Sequence, residues 1–260
     1  MGALLPPDIN RRIGRAMHTY DMLADGDRVL VAVSGGIDSQ VLLWLLDFWR
    51  RKAPICYDLR AVHIDMEPDG EDPGPSARSV RREVTNLQIP LEIIPAQWLP
   101  GTTLHNDSIS RKKDLCFTCA RHRRRQLFDH ARRIRYNKIA MGHHRDDIIE
   151  TFFLNICFAG NISTMLPRQD LFAGSLSLIR PLSFLDKSEI SMIAEQLAIT
   201  PVRSTCPLGE QTRRLDVRQW LDELYHRLPE AKMRIFAALA NVRPEYMLKT
   251  DGKNTDTAGQ

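Results

Sequence analysis

Apolar residues along this chain fall into two alternating rhythms, short unbroken runs and longer stretches with helical spacing. Ile9, Ile13, Met17 and Tyr20 recur every three or four positions, so Ile9 to Leu23 is predicted to be an amphipathic helix. Val29 to Val33 reads as a buried strand, followed by a helix containing Val41 to Trp49. Leu59 to Ile64 is a second strand, Ser76 to Leu87 a helix and Leu91 to Ile94 a third strand. Phe117 to Ile134 is predicted to be helical, Lys138 to Met141 a strand and Asp147 to Phe158 helical again. Leu176 to Ile179 supplies a fifth strand before a helix from Lys187 to Leu197. Strands and helices in such alternation predict an α/β fold, a parallel five-stranded sheet covered on both faces. From about Thr200 the strands stop, and Asp216 to His226 and Pro229 to Ala240 read as two more helices. The expected organisation is an N-terminal helix over residues 1–25, a main domain over 26–200 and a small helical portion over 201–250. Met66 to Pro75, rich in Pro, Gly and acidic residues, is expected to be an exposed loop. Residues 251–260 are expected to be a disordered tail.

Composition adds a location and one unusual surface. No apolar run approaches the ~20 residues that a membrane helix needs. Met1 to Asn10 lacks a basic region followed by an apolar stretch. A cytoplasmic protein with no membrane partner is expected. The formal charge is only +4, but ten of the 36 Lys and Arg residues crowd between Arg111 and Arg135. An isolated charge run is most simply a solvated helix face. This one surrounds a cysteine pair, which favours a surface that binds a polyanion.

The sharpest local signal follows the first strand, in Ser34-Gly35-Gly36-Ile37-Asp38-Ser39. Two glycines after a buried strand allow a tight turn and let the backbone approach an oxyanion. The free N–H groups and positive end of the next helix then face that anion. Ser34 and Ser39 add hydroxyl donors, and Asp38 is a candidate magnesium ligand. Neither the Walker loop nor the dinucleotide fingerprint fits, because no Gly-Lys-Ser/Thr ending and no G-x-G-x-x-G is present. The plain alternative is a connecting turn in which Asp38 or Ser39 caps the helix. The complete six-residue pattern between strand and helix favours phosphate binding.

A second loop, Lys138-Ile-Ala-Met-Gly-His-His-Arg-Asp-Asp147, also joins a strand to a helix. In a parallel sheet such loops line one crevice, so it should face the phosphate loop. Gly142 permits close backbone approach. Asp146 and Asp147 are equally readable as caps, and His143 and His144 as ordinary loop histidines. His63 ends the second strand and is a weaker candidate for the nucleotide pocket.

Cys116-Phe-Thr-Cys119 opens the basic helix, and Cys206 follows far downstream. A C-x-x-C pair alone is compatible with zinc, a redox couple or an iron–sulfur cluster. Five cysteines in a chain without a secretory signal favour thiols or ligands over disulfides. Cys56 beside a strand and Cys157 in an apolar helix are expected to be buried packing residues.

The 34–39 loop resembles the S-G-G-x-D-S hallmark of the PP-loop ATP pyrophosphatases, whose fold is the adenine-nucleotide alpha-hydrolase type. That resemblance implies that ATP is split between its α and β phosphates and AMP is transferred to a substrate oxygen. From about Asn10 to Leu248 the chain resembles the tRNA 2-thiocytidine synthetase family. The likeness rests on Gly26-Asp27-Arg28, Cys116 to Arg124, Gly142 to Asp147, Ile179-Arg180-Pro181-Leu182 and the downstream cysteine. It assigns Ser34, Gly35, Gly36, Asp38, Ser39, Gly142, His143 and Asp147 to the ATP site, beside which His63 stays a candidate by its position alone. It implies a [4Fe-4S] cluster on Cys116, Cys119 and Cys206, with Arg123 near the reactive centre. It further implies ATP with Mg2+ as cofactors, tRNA as substrate, a cysteine desulfurase or other sulfur donor, and a homodimer. The chain departs from the family pattern at Gly209, where many relatives have a further cysteine, at Ile37 in place of lysine and at His63 in place of asparagine. These departures bear on the substrate more than on the ATP chemistry. Two other functions fit the residues: sulfur transfer on a different base or a small molecule, and a zinc-stabilised RNA-binding module without catalysis.

Overall fold

The computed structural model describes residues 5–98, 109–202 and 213–248, with the side chains of residues 109–116 outside the description. Its centre is a twisted sheet of six strands, β1 (Arg28–Ala32), β2 (Asp58–Asp65), β3 (Leu91–Pro95), β4 (Lys138–Ala140), β5 (Arg168–Leu171) and β6 (Leu176–Ile179). Their spatial order is β3-β2-β1-β4-β6-β5. The first four pairings are parallel, with Val29 opposite both Leu59 and Lys138. β5 runs antiparallel on the outer edge of β6.

That sixth strand corrects the five-stranded expectation. Arg168-Gln-Asp-Leu171 is mostly polar, and all four residues are exposed or half-buried. An edge strand pairs on one side only, so it needs no apolar run. It returns through Phe172, Ala173 and Gly174, all at positive φ. With non-glycine residues at two of those positions, the turn carries no Asn-Gly signal.

Alternation along β1 sends Val29 and Val31 to one face and Leu30 to the other. The first face is covered by α1 (Pro7–Thr19), α2 (Ile37–Arg50), α3 (Pro75–Thr85) and α6 (Lys187–Gln196). The second is covered by α4 (Ile109–Arg133), through Leu127 and Ala131. Each helix buries its apolar stripe and leaves the polar residues in solvent. In α1 the buried stripe is Ile9, Ile13, Ala16 and Met17. A third, smaller cluster joins α5 (Arg145–Leu154) to α7 (Arg213–Arg227) and α8 (Ala231–Ala238), with Ile149, Val217 and Leu221 at its centre.

Three expectations about cysteines change. α4 begins at Ile109, so Cys116 and Cys119 lie inside the helix and not at its first turn. Cys56 is exposed, because its loop is held by backbone: its N–H donates to Asp25 Oδ1 at 2.7 Å and its carbonyl accepts from Gly26. Cys157 is exposed as well. It lies in a π-helical turn, Asn155–Ala159, where the apolar run that follows α5 has reached the surface. Cys206 and the tail 251–260 lie outside the described residues. Among the described residues no helix is long and apolar enough to cross a membrane.

Candidate active site

The site is built where strand order reverses. From β1 the chain steps outward to β2 and β3 on one side, then crosses back to β4 on the other. In an open α/β sheet the ligand crevice lies at this point, at the carboxyl ends of the strands, bordered by the loops after β1 and β4.

In the first loop, Gly35 has φ +92°, and a Cβ there would lie 3.0–3.1 Å from Val202 and Val80. Its carbonyl is turned into the fold, accepting from Gln40 Nε2 at 2.8 Å and from the Val202 N–H at 2.9 Å. The Gly36 carbonyl accepts from Ser39 Oγ at 2.9 Å. Ser34 and Ser39 hydroxyls lie 3.3 Å apart. Gly36 differs from Gly35: its φ is −69°, and a Cβ would meet nothing nearer than Ser34 Oγ at 3.6 Å. The fold itself therefore does not need glycine at 36. An open cradle over a helix N-terminus is the form in which backbone meets a phosphate. No side chain caps α2, so Asp38 and Ser39 do not take the alternative role of helix cap. Asp38 Oδ1 instead takes the ammonium of Lys187 at 2.5 Å.

The second loop presses directly on the first. A Cβ on Gly142 would lie 2.8–2.9 Å from the backbone of Asp38 and Ser39. His144 caps α5 in a capping box, where Asp147 Oδ2 accepts the His144 N–H at 3.0 Å. His143 Nδ1 accepts from Arg180 Nε at 3.2 Å. His63 is buried at the end of β2, with Nδ1 2.7 Å from the Val33 carbonyl, at the base of the phosphate loop. α4, packed on the second face of the sheet, comes within electrostatic reach of both loops. Gln126, near its middle, is fixed to β3 through the Pro95 carbonyl at 2.7 Å. One turn earlier, residues 121–125 are all exposed. The charge of Arg123 reaches His63, and that of Arg124 reaches His143 and Arg180. Cys119 is half-buried on the same helix.

The PP-loop domain family matches residues 6–221. The tRNA-cytidine(32) 2-sulfurtransferase of Geobacter sulfurreducens is 36% identical over 246 residues, covering 92% of this chain and 91% of the relative. The Acinetobacter baumannii protein of the same name is 34% identical over 256 residues, covering 94% of this chain and 79% of the relative. This chain belongs to that PP-loop family. In fold it matches the U34-tRNA thiolase NcsA from Methanococcus maripaludis, a structure with a [4Fe-4S] cluster. The TM-score is 0.70 at 20% identity, covering 92% of this chain and 80% of that one.

Around the PP-loop the structure adds partners that the sequence did not assign to the site, of which Arg180 alone lies in a segment that carries the family likeness. Lys187 reaches Asp38 from α6, and Arg180 reaches His143 from the end of β6. Arg214 of α7 touches Asp147 at 3.3 Å and Glu150 at 3.2 Å. Lys232 of α8 pairs with Asp146 at 2.5 Å. Each partner is at least 37 residues away in sequence, so no local pattern points to it. Burial opposes ionisation of Asp146, but hydrogen bonds from His144 and Lys232 outweigh it and hold the carboxyl below the usual range. Burial also opposes a charge on His144, yet the carboxylates of Asp146 and Asp147 raise its pKa.

His143 moves the other way. Burial first, and then the Arg180 cation, push it down to about 4 from 6.5. The unfolded chain takes up a proton below about pH 6.5 that the native His143 refuses until about pH 4. Its contribution to stability is therefore complete above pH 6.5 and falls as pH drops towards 4, by up to about 3 kcal/mol. Urea unfolding across that range should show the fall, and His143→Asn should flatten it. His144 does not mask the effect, since a raised pKa alters stability only above about pH 6.5.

Proposed function

We propose that this protein is an ATP-dependent tRNA sulfurtransferase that replaces the 2-oxygen of a cytidine in the anticodon loop, at position 32, with sulfur. The observation that carries the reading is the pairing of an open phosphate cradle at Gly36 with a basic helix whose exposed Arg123 and Arg124 reach His63 and His143. The relatives' shared name supports the substrate.

ATP lies over Ser34 to Ser39, with Gly142, His143, Asp147 and His63 bordering it. Asp38 would hold a magnesium ion, which would neutralise phosphate charge where Lys187 already supplies a positive charge. The exposed arginines of α4 hold the RNA backbone. An unstacked loop base enters at a cost of a few kcal/mol, less than for a paired base. The cytidine 2-oxygen attacks the α-phosphorus, pyrophosphate leaves, and the base carries AMP as a displaceable group. Neutral His143 donates or accepts a hydrogen bond here without taking a proton. Cys116, Cys119 and Cys206 are soft thiolate donors, and three thiolates are the donor set that would hold a cluster with one iron left open; Cys206 and the Cys116 side chain lie outside the described residues. A [4Fe-4S] cluster held there would supply the sulfur-transfer chemistry, with sulfur coming from a cysteine desulfurase or other donor. Arg123, four residues after Cys119 on α4, would be its neighbouring cation. The unit acts in the cytoplasm as a homodimer, with 26–200 as the catalytic domain and 201–250 completing the site.

The test is anaerobic reconstitution with iron and sulfide, followed by reaction with ATP, magnesium, sulfide and unmodified tRNA. About four irons per chain and 2-thiocytidine in the digested nucleosides are expected, with AMP and pyrophosphate released. Zinc that iron cannot replace, or reconstituted protein that leaves the tRNA unchanged, would overturn it.

A further inference from the structure

Three cationic side chains of fixed charge are buried among the described residues: Lys138, Arg145 and Arg180. Two of them have a carboxylate. Lys138 lies 3.8 Å from Asp27, and Arg145 lies 3.2 Å from Asp186. Arg180, only 5% exposed, is different. Its guanidinium donates to two neutral acceptors, His143 Nδ1 at 3.2 Å and the Leu166 carbonyl.

Asp147 is the carboxylate whose field reaches Arg180, but it bonds instead to the His144 N–H and to Arg214. Burying a cation without a carboxylate in contact costs several kcal/mol, and hydrogen bonds to neutral groups recover only part of it. Burial first, and then the neighbouring Arg124 cation, push Arg180 down to about 10 against the opposing field of Asp147. Two positive charges therefore converge on one wall of the crevice, and the neutral ring of His143 beside them cannot compensate either. A protein tolerates such an arrangement where a ligand brings the missing negative charge. The two neutral acceptors also fix the plane of the guanidinium, so that its remaining N–H edge is held ready without further loss of side-chain entropy.

We infer that Arg180 is a phosphate-binding residue, holding a phosphate group of the ligand that enters between the β4–α5 loop and α4. This rests on the crevice being the ATP and RNA site proposed above. The phosphate belongs either to the nucleotide or to the RNA backbone.

The experiment compares wild-type protein with Arg180→Gln, which keeps donors for Leu166 and His143 but removes the charge. Binding of inorganic pyrophosphate, ATP and tRNA is measured by calorimetry, beside thermal unfolding without ligand. The thermal midpoint should stay level or rise, because an uncompensated charge is gone. Affinity should fall roughly 10–100-fold, the worth of one charge-assisted hydrogen bond. A fall confined to pyrophosphate and ATP assigns the phosphate to the nucleotide. A fall confined to tRNA, with the salt slope reduced by about one, assigns it to the RNA. A lower midpoint with all three affinities unchanged would overturn the inference. Selective NMR of arginine Nε–H groups in the wild-type protein gives an answer even if the variant does not fold. The Arg180 signal should move on saturation with pyrophosphate or tRNA, and a signal that moves with neither is contrary to it. Wild-type protein that binds neither ATP nor tRNA would instead count against the function itself.

Discussion

Gly142→Ala is expected to lower ATP turnover about 100-fold, whereas Gly36→Ala lowers it comparably with no loss of stability. The two glycines are required for different reasons. At 142 the new methyl would stand 2.8–2.9 Å from the backbone of Asp38 and Ser39, and backbone cannot swing aside as a side-chain end can. The β4 loop and the phosphate loop must separate by a fraction of an ångström to an ångström. Misplacement on that scale costs on the order of 100-fold in a positioned reaction. Overpacking the same contact should take about 1–3 kcal/mol from stability. At 36 the methyl has room, with Ser34 Oγ at 3.6 Å and a φ that any residue adopts. The folded protein should not register the change beyond about 0.5 kcal/mol. A phosphate approaching the backbone would. Pyrophosphate release and thermal unfolding on both variants make the check, and Gly36→Ala with undiminished pyrophosphate affinity would remove the loop from phosphate binding.

The contrast between these glycines also marks what a sequence can convey. The pattern Ser34 to Ser39 announces a phosphate loop because the chemistry needs neighbouring residues, and neighbours are what a sequence records. The parallel core was legible for a similar reason: a strand buried on both faces is a continuous apolar run, as Val29 to Val33 is, and Leu59 to Ile64 is apolar but for Arg60 and His63. The edge strand β5 was hidden because an edge makes no such demand. Cys157 misled because an apolar run in a helix is ordinarily buried, and here the run continues past α5 into a surface turn. The partners of the site residues were hidden by distance. Lys187 lies 149 residues from Asp38, and Arg214 lies 67 from Asp147. Only the fold brings them together. The basic helix was legible as a charge run, but its reach to both loops depends on Gln126 tying it to the end of β3.

The same distances give Glu150 a weight that its sequence neighbourhood conceals. It is 3% exposed and accepts from Arg218 Nε at 2.8 Å and from Arg214 Nη1 at 3.2 Å. Both arginines belong to α7, so this one carboxylate fastens α7 to α5 above the apolar contact of Ile149 with Val217 and Leu221. Glu150→Leu should destabilise the protein by about 2–3 kcal/mol. That is somewhat less than the 3–5 kcal/mol typical of breaking a fully buried pair, because the arginine side chains are 37% and 52% exposed and water recovers part of their charge. The corresponding fall in the thermal midpoint is about 4–12 °C for a chain near this size. The loss should also reach the active site, since the same helix carries Arg214 to Asp147. ATP affinity is expected to fall with stability in this variant. Removing one cation as well, in Glu150→Leu with Arg218→Leu, should restore part of the stability, because it removes one of the two guanidinium groups left together without the carboxylate they share. A double variant no more stable than Glu150→Leu would mean that α7 is held by its apolar seam alone, and that Asp147 owes its place to the capping box of α5 rather than to the helix docked beside it.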